Sequence, residues 1–280
     1  MKKIILLFFL LTLTIPQFTS FKSLAFYKDL PKNFDLLILI DRNPQVQSIE
    51  VFKHGQEIPI LSGKVSTGRE TFDIPTNFNK DPYCSITPKG EFTVERLREE
   101  YLSSSWLKKD SSGEYAEGVS MPYSIFFKEG IAIHAVNQEN IKKLGTKASG
   151  GCVRVDPKLA KDLFSLIALK DSKGKILKVN PKLFDQECID GVDKSFCHDE
   201  KQWPVKRQKL QVKIRIIDSR SYEEQLAVEK KCQDQSRKYY SFKQKCLNQE
   251  DNEGLFGCHK EYYSALKNTP RTPASKKSLN

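Results

Sequence analysis

The chain is 280 residues long, 39% hydrophobic and 29% charged, with a formal net charge of +11. That length buries one large core or two modest ones, and the composition excludes a chain disordered throughout. The charge is uneven: residues 201–280 hold 18 Lys and Arg against 9 Asp and Glu, a field suited to an anionic polymer or lipid surface, or simply to a solvated face.

Residues 1–25 read as a secretory signal peptide. Lys2 and Lys3 precede the apolar run Ile4 to Ile15, and Ser23 and Ala25 stand at the minus-three and minus-one positions of a cleavage site. The run is short for a membrane span, which needs about 20 apolar residues; an uncleaved anchor is the minor alternative, and no nearby cysteine suggests a lipoprotein. The chain is therefore expected to be secreted to the periplasm or cell wall, with no stable membrane span after cleavage. A secreted chain without a nucleic-acid-binding motif argues against a nucleic-acid partner. Export also favours paired cysteines. There are seven, so Cys152 is expected to stay free while Cys84, Cys188, Cys197, Cys232, Cys246 and Cys258 pair. Six cysteines allow 15 connectivities; Cys188 with Cys197 is a local guess.

A mostly β (α+β) catalytic domain is predicted over 33–181. "FDLLILI" and "QSIEVFKHG" alternate or run apolar around the turn "DRNPQ" and read as a hairpin; "EIPILSGKVSTG" and "TPKGEFTVERL" continue the strand pattern. Residues 97–122 are rich in Ser, Gly and charge and read as an exposed loop or lid. "YSIFF" and "GIAIHA" are two further strands. "QENIKKLG" is a short helix, and "DPKLAKDLFSLIAL" a better one, with Asp156 as cap, Pro157 in the first turn and Leu159, Leu163, Leu166 and Ile167 on one face. "GKILKVN" returns to strand. Residues 182–220 read as a crossover loop followed by the strand "LQVKIRII". Residues 221–268 read as a small disulfide-tied helical extension, with Tyr222, Leu226, Tyr239, Phe242 and Cys246 near helical spacing and "GLFGCHKEYYSALK" as its second helix. Residues 269–280 read as a disordered tail.

The stretch "KASGGCVRV" carries chemistry. A nucleophilic cysteine needs a base or cation, oxyanion donors and open access. Gly150 and Gly151 let the backbone turn sharply, so that amides near Gly151 and Cys152 can face an incoming carbonyl. Of four histidines, His134 alone lies in an apolar strand of the same domain, 18 residues before Cys152; taken alone, it reads more simply as a core histidine. Metal ligation lacks any CxxC or HxxxH spacing.

"IHA" followed after a gap by "ASGGCVRV" resembles the signature of the L,D-transpeptidase (YkuD-like) catalytic domain: a histidine, a gap, then Ser, any residue, Gly, Cys, any residue, and Arg or Asn. "LLILIDRNPQVQSIEVFKHGQEI", "SGKVSTG", "TPKGEF" and "MPYSIFF" resemble further family segments in the same order, from about Asp35 to Asn180. The resemblance implies a YkuD-like β-sandwich, with Cys152 as nucleophile and His134 as its base. It places Ser149, Gly150 and Gly151 in the loop, with Gly151 and Cys152 amides as oxyanion donors. Arg154 holds the loop or binds a substrate carboxylate, the loop role being preferred, and Tyr123 is an aromatic near the site that donates a hydroxyl or packs in the core. Two positions depart from the common pattern: Gly150 stands where many members have His, and Ala135 where many have Gly. The first leaves His134 as sole base; the second is mild, because the carbonyl after the histidine orients the ring and any residue supplies one.

The implied activity is peptidoglycan L,D-transpeptidation. Cys152 attacks the carbonyl of the third residue of a tetrapeptide stem, D-alanine leaves, and the thioester passes to an amine: a second stem (three-to-three cross-link), a free D-amino acid, or a lipoprotein lysine. No metal or organic cofactor is required. An L,D-carboxypeptidase using water is the near rival, and a non-catalytic wall-binding module the rival of another class. Sortases have far longer spacings, and papain-like proteases place cysteine before histidine.

Overall fold

Runs of branched apolar residues punctuated by Gly, Pro and Asn form most of the strands where alternation places them. A computed structural model of the chain describes residues 33–77, 79–183 and 195–248, with 188, 257, 258, 261 and 262. The signal peptide read at 1–25 and the tail read at 269–280 lie outside the described residues, as does most of the second helix of the extension; residues 257–258 and 261–262 are helical.

The strands are β1 (Leu36–Asp41), β2 (Ser48–Lys53), β3 (Leu61–Ser66), β4 (Phe72–Asp73), β5 (Tyr83–Cys84), β6 (Gly90–Thr93), β7 (Arg96–Arg98), β8 (Leu102–Lys109), β9 (Tyr115–Ser120), β10 (Ser124–Lys128), β11 (Ile131–Ala135), β12 (Val153–Val155) and β13 (Val212–Ile217). Nine of them form one sheet in the order β6-β13-β1-β2-β3-β12-β11-β10-β7, and β4-β5 and β8-β9 form separate pairs. Two pairings are parallel, β1 with β13 and β11 with β12. The sheet curls, so that inward side chains of both halves meet. Ile38, Ile40, Val65, Ile125, Ile133, Val153 and Ile214 join one face of the helix α1 (Pro157–Ile167) in a single core. The fold is mostly β with few helices, as the strand pattern implies.

Helix α1 begins where the sequence places it: the Asp156 carboxylate accepts from the amides of Lys158 and Leu159, and Pro157 occupies the first turn. It buries Leu159, Ala160, Leu163, Phe164 and Ile167. The segment "QENIKKLG" forms a 3-10 helix over Gln138–Lys143.

Three local expectations change. Residues 102–120 form a β-hairpin rather than a loop, with β8 and β9 paired through two register shifts around a turn in which Asp110 Oδ1 accepts from the amides of Ser112 and Glu114. Backbone pairing satisfies these polar groups without an apolar alternation to announce it. "GKILKVN" forms no strand, only isolated bridges such as Lys170 with Ile176, closed by a turn in which Asp171 accepts from the Lys173 and Lys175 amides, and Lys178 with Val205. In the long helix α2 (Tyr222–Leu247), started by the capping box of Ser221 and Glu224, Tyr222 and Leu226 are 71% and 50% exposed. The buried residues of α2 are Cys232, Tyr239 and Cys246, seven apart on one stripe.

That stripe docks on a small cluster of Phe72, Cys84 and Ile86, with Tyr262 beside it. Disulfides join Cys84 to Cys232, Cys188 to Cys197 and Cys246 to Cys258, and Cys152 is free. The first ties α2 to β5. Among the described residues, no helix is long and apolar enough to cross a membrane.

Candidate active site

Successive side chains of a strand point to opposite faces, and this alternation assembles the site. In β11, Ile133 and Ala135 enter the main core, which sends Ala132 and His134 to the other face. In β12, Val153 and Val155 enter the core, which sends Arg154, and Cys152 just before the strand, to that same other face. The parallel register sets His134 opposite Arg154 and Ile133 opposite Val153. Cys152 therefore falls one step back along the pair, diagonal to His134 and level with Ala132. Met121, Phe126 and Ala132 pack beneath it, with Tyr101 alongside. Cys152, His134 and Arg154 all line one cleft of about 560 Å³.

The loop before Cys152 is pinned on every side. The amides of Ala148 and Ser149 donate to the Thr67 carbonyl, at 3.0 and 2.9 Å, and the Arg69 amide donates to the Ser149 carbonyl at 3.0 Å. The fully buried Ser149 hydroxyl donates to the Cys152 carbonyl at 2.5 Å and accepts from the Gly151 amide at 3.1 Å. Thr87 Oγ1 donates to the Gly151 carbonyl at 2.7 Å while accepting from the Gly68 amide at 2.9 Å. Gly151 sits at φ +122°, where a side chain would be strained. Behind the loop lies a buried charge chain: Lys147 pairs with Glu70, Glu70 with Arg220, Arg220 with Asp218, and Asp218 with Arg42, whose guanidinium also donates to the Thr87 carbonyl.

His134 is 4% exposed, and its Nδ1 is 2.8 Å from the Ala135 carbonyl oxygen. That oxygen can only accept, so Nδ1 carries the proton and Nε2 is left with a lone pair. Burial, and then the Arg154 charge, push the imidazole down to about 3, so it is neutral at physiological pH. Burial pushes the Cys152 thiol up, opposed by a hydrogen bond from the Ala132 backbone and by Arg154. Arg154 favours the thiolate and disfavours the imidazolium together. At rest Cys152 is thus a neutral thiol and His134 a neutral imidazole, on one face of the same strand pair. Arg154 is also tied to the loop, Nη1 donating to the Ala148 carbonyl at 3.2 Å.

Ser149, Gly150, Gly151, Cys152, Arg154 and His134 come together. One sequence expectation needs correction. The Gly151 amide is occupied by Ser149, so it is not an open oxyanion donor. The Cys152 amide belongs to a trans peptide whose carbonyl is held by Thr87, and N–H and C=O of a trans peptide point oppositely; it faces away from Thr87. Tyr123 is set in the core, its ring edge-on to Phe164 at 5.7 Å.

Sequence reading missed Tyr83, Trp106 and Arg69. Tyr83 Oη donates to the Gly150 carbonyl at 2.8 Å and accepts from Trp106 Nε1 at 2.9 Å. The Arg69 guanidinium lies 5.0 Å above the Trp106 ring and is held by Asp73. A tryptophan in a Ser-rich hairpin, one of two in the chain, was the available signal. Among the described residues, no group of three or more His, Cys, Asp or Glu is placed to hold a metal ion.

Residues 35–180 match the family model of the L,D-transpeptidase catalytic domain, YkuD. Among solved structures, the chain is similar to an L,D-transpeptidase from Mycobacterium smegmatis, at 15% identity over 48% of this chain and 55% of that one, with a TM-score of 0.34. It is also similar to residues 123–326 of an L,D-transpeptidase from Xylanimonas cellulosilytica, at 17% identity over 67% and 63%, with a TM-score of 0.38. The chain spans between about half and two thirds of the length of these structures. A comparison with curated proteins gives no match. With the family model covering more than half of its length, the chain belongs to the L,D-transpeptidase (YkuD) catalytic domain family.

Proposed function

We propose that this chain is a cysteine-dependent peptidoglycan L,D-transpeptidase that works in the periplasm or an equivalent wall compartment. The observation that carries the reading is the placement of the free Cys152, the buried His134 and Arg154 on one face of a single parallel strand pair, open to one cleft. His134 Nε2 takes the thiol proton as sulfur attacks the carbonyl of stem residue three, expected to be meso-diaminopimelate. The developing oxyanion meets the Cys152 amide. Nε2 then protonates the amine of the departing D-alanine, leaving a thioester. An acceptor amine, from a second stem, a free D-amino acid or a lipoprotein lysine, loses its proton to His134 and takes the acyl group, restoring the thiol. The neutral resting pair suits this cycle, because His134 starts as a base and returns to one. Arg154 orients the loop and favours negative charge on sulfur during attack. The cleft is walled by Trp106, Tyr101 and Met121 beside Ser103, Ser105 and Asn140, which gives an acceptor amine both apolar and polar surface to bind.

The test is mass spectrometry of the mature protein after exposure to a carbapenem, followed by digestion of cell wall and muropeptide analysis. A covalent adduct on Cys152 and new dimeric muropeptides are expected. Tripeptide monomers alone would assign water as acceptor, an L,D-carboxypeptidase. Sacculus binding that survives Cys152→Ala, with neither adduct nor product from the unaltered protein, would leave a wall-binding module and refute the enzymatic reading.

A further inference from the structure

The chain places an indole where other side chains would project from position 150. A Cβ built on Gly150 would lie 2.5 Å from Trp106 Nε1, 2.9 Å from Trp106 Cε2 and 3.0 Å from Tyr83 Oη. The glycine is therefore required by close approach of a neighbour, and the neighbour makes a continuous chain: Trp106 N–H to Tyr83 oxygen, Tyr83 O–H to the Gly150 carbonyl. Burial pushes the Tyr83 hydroxyl up to about 12, which keeps its proton in place for that bond.

We infer that Tyr83 and Trp106 are positioning residues that set the Cys152 amide for the oxyanion, an inference that rests on the acyl-transfer reading above. Tyr83 fixes the Gly150 carbonyl, and with it the trans peptide between 150 and 151. The Gly151 amide on the far side of that plane goes to Ser149, and Thr87 fixes the next plane through the Gly151 carbonyl. With both planes held, the Cys152 amide has one direction. Releasing Tyr83 leaves the first plane held only through the Gly151 amide's bond to Ser149, and Gly151, at positive φ without a Cβ, gains freedom to turn about it. The two residues come from different elements, β5 and the β8-β9 hairpin, so the hairpin completes the loop as well as walling the cleft.

The role separates two kinds of reactivity at one sulfur. Acylation develops an oxyanion and needs the aimed amide; alkylation by iodoacetamide displaces iodide and develops none. In Tyr83→Phe, which keeps the ring and removes the hydroxyl, carbapenem acylation of Cys152 is expected to slow about 10- to 100-fold, with alkylation within about twofold of the unaltered protein and the melting temperature close to it. Gly150→Ala, which pushes the indole away, is expected to show the same split. Unchanged acylation in Tyr83→Phe, or equal loss of both reactivities in the two variants, overturns the inference while the unaltered protein still forms its adduct. An unaltered protein that forms no adduct overturns the acyl-transfer reading and this inference with it.

Discussion

The electrostatics of the cleft fix how Cys152 should respond to pH. Its thiol is raised by burial and its histidine neighbour is lowered to about 3, so folding favours the neutral thiol and the neutral imidazole over a thiolate–imidazolium pair. A thiol at or above the ordinary value of about 8.5 is at most about 3% thiolate at pH 7, and that fraction falls about tenfold for each further unit. Iodoacetamide carries no charge and reports the thiolate fraction. The six other cysteines are in disulfides, so intact-mass spectrometry counts alkylation at Cys152 alone. The expected rate falls about a thousandfold from pH 8 to pH 5, without a plateau. Acylation by a carbapenem uses the neutral imidazole instead and is expected to hold nearly level over the same range; a histidine near the ordinary 6.5 would lose about 30-fold by pH 5. His134→Gln should leave the alkylation slope intact and slow acylation by about 100-fold or more. A plateau in alkylation between pH 5 and 7 would mean a preformed ion pair and would refute the neutral resting state.

Two further outcomes follow from the packing. Replacing both Cys84 and Cys232 with Ser removes the tie between β5 and α2; the loss expected in urea denaturation is about 2–5 kcal/mol, and slower carbapenem acylation should accompany it, because β5 carries Tyr83. Asp218, whose side chain is fully buried between Arg42 and Arg220, is held down to about 2 by hydrogen bonds and charge from Arg220 and by the Arg42 charge, against the opposing effect of burial. Its stabilising contribution is complete above the unfolded carboxylate value of about 3.9 and is lost as pH falls through about 2. Asp218→Asn should therefore flatten the acid side of the stability profile between those values, and should cost about 3–5 kcal/mol at neutral pH by taking the carboxylate partner from buried Arg42 and leaving Arg220 with Glu70 alone; a profile unchanged from the parent would contradict the buried chain of charges.

Much of the site was legible in local pattern. Period-two alternation in "GIAIHA" and "GCVRV" decides which side chains leave the core, so His134, Cys152 and Arg154 share a face wherever those two strands pair. Asp156 and Pro157 start α1 through contacts within one turn, and seven cysteines leave one unpaired by parity. Tertiary structure decided what depends on groups far apart in the chain. Tyr83 reaches the Gly150 carbonyl across 67 positions and Trp106 reaches Tyr83 across 23; Cys84 chose Cys232 at a separation of 148. Whether the Gly151 amide is open or bonded to Ser149, and whether the Tyr123 ring lies in the cleft or on Phe164, is likewise set by packing. A side chain's face is set by its immediate neighbours and the geometry of its own strand, whereas its hydrogen-bond partner is set by where the rest of the chain comes to lie.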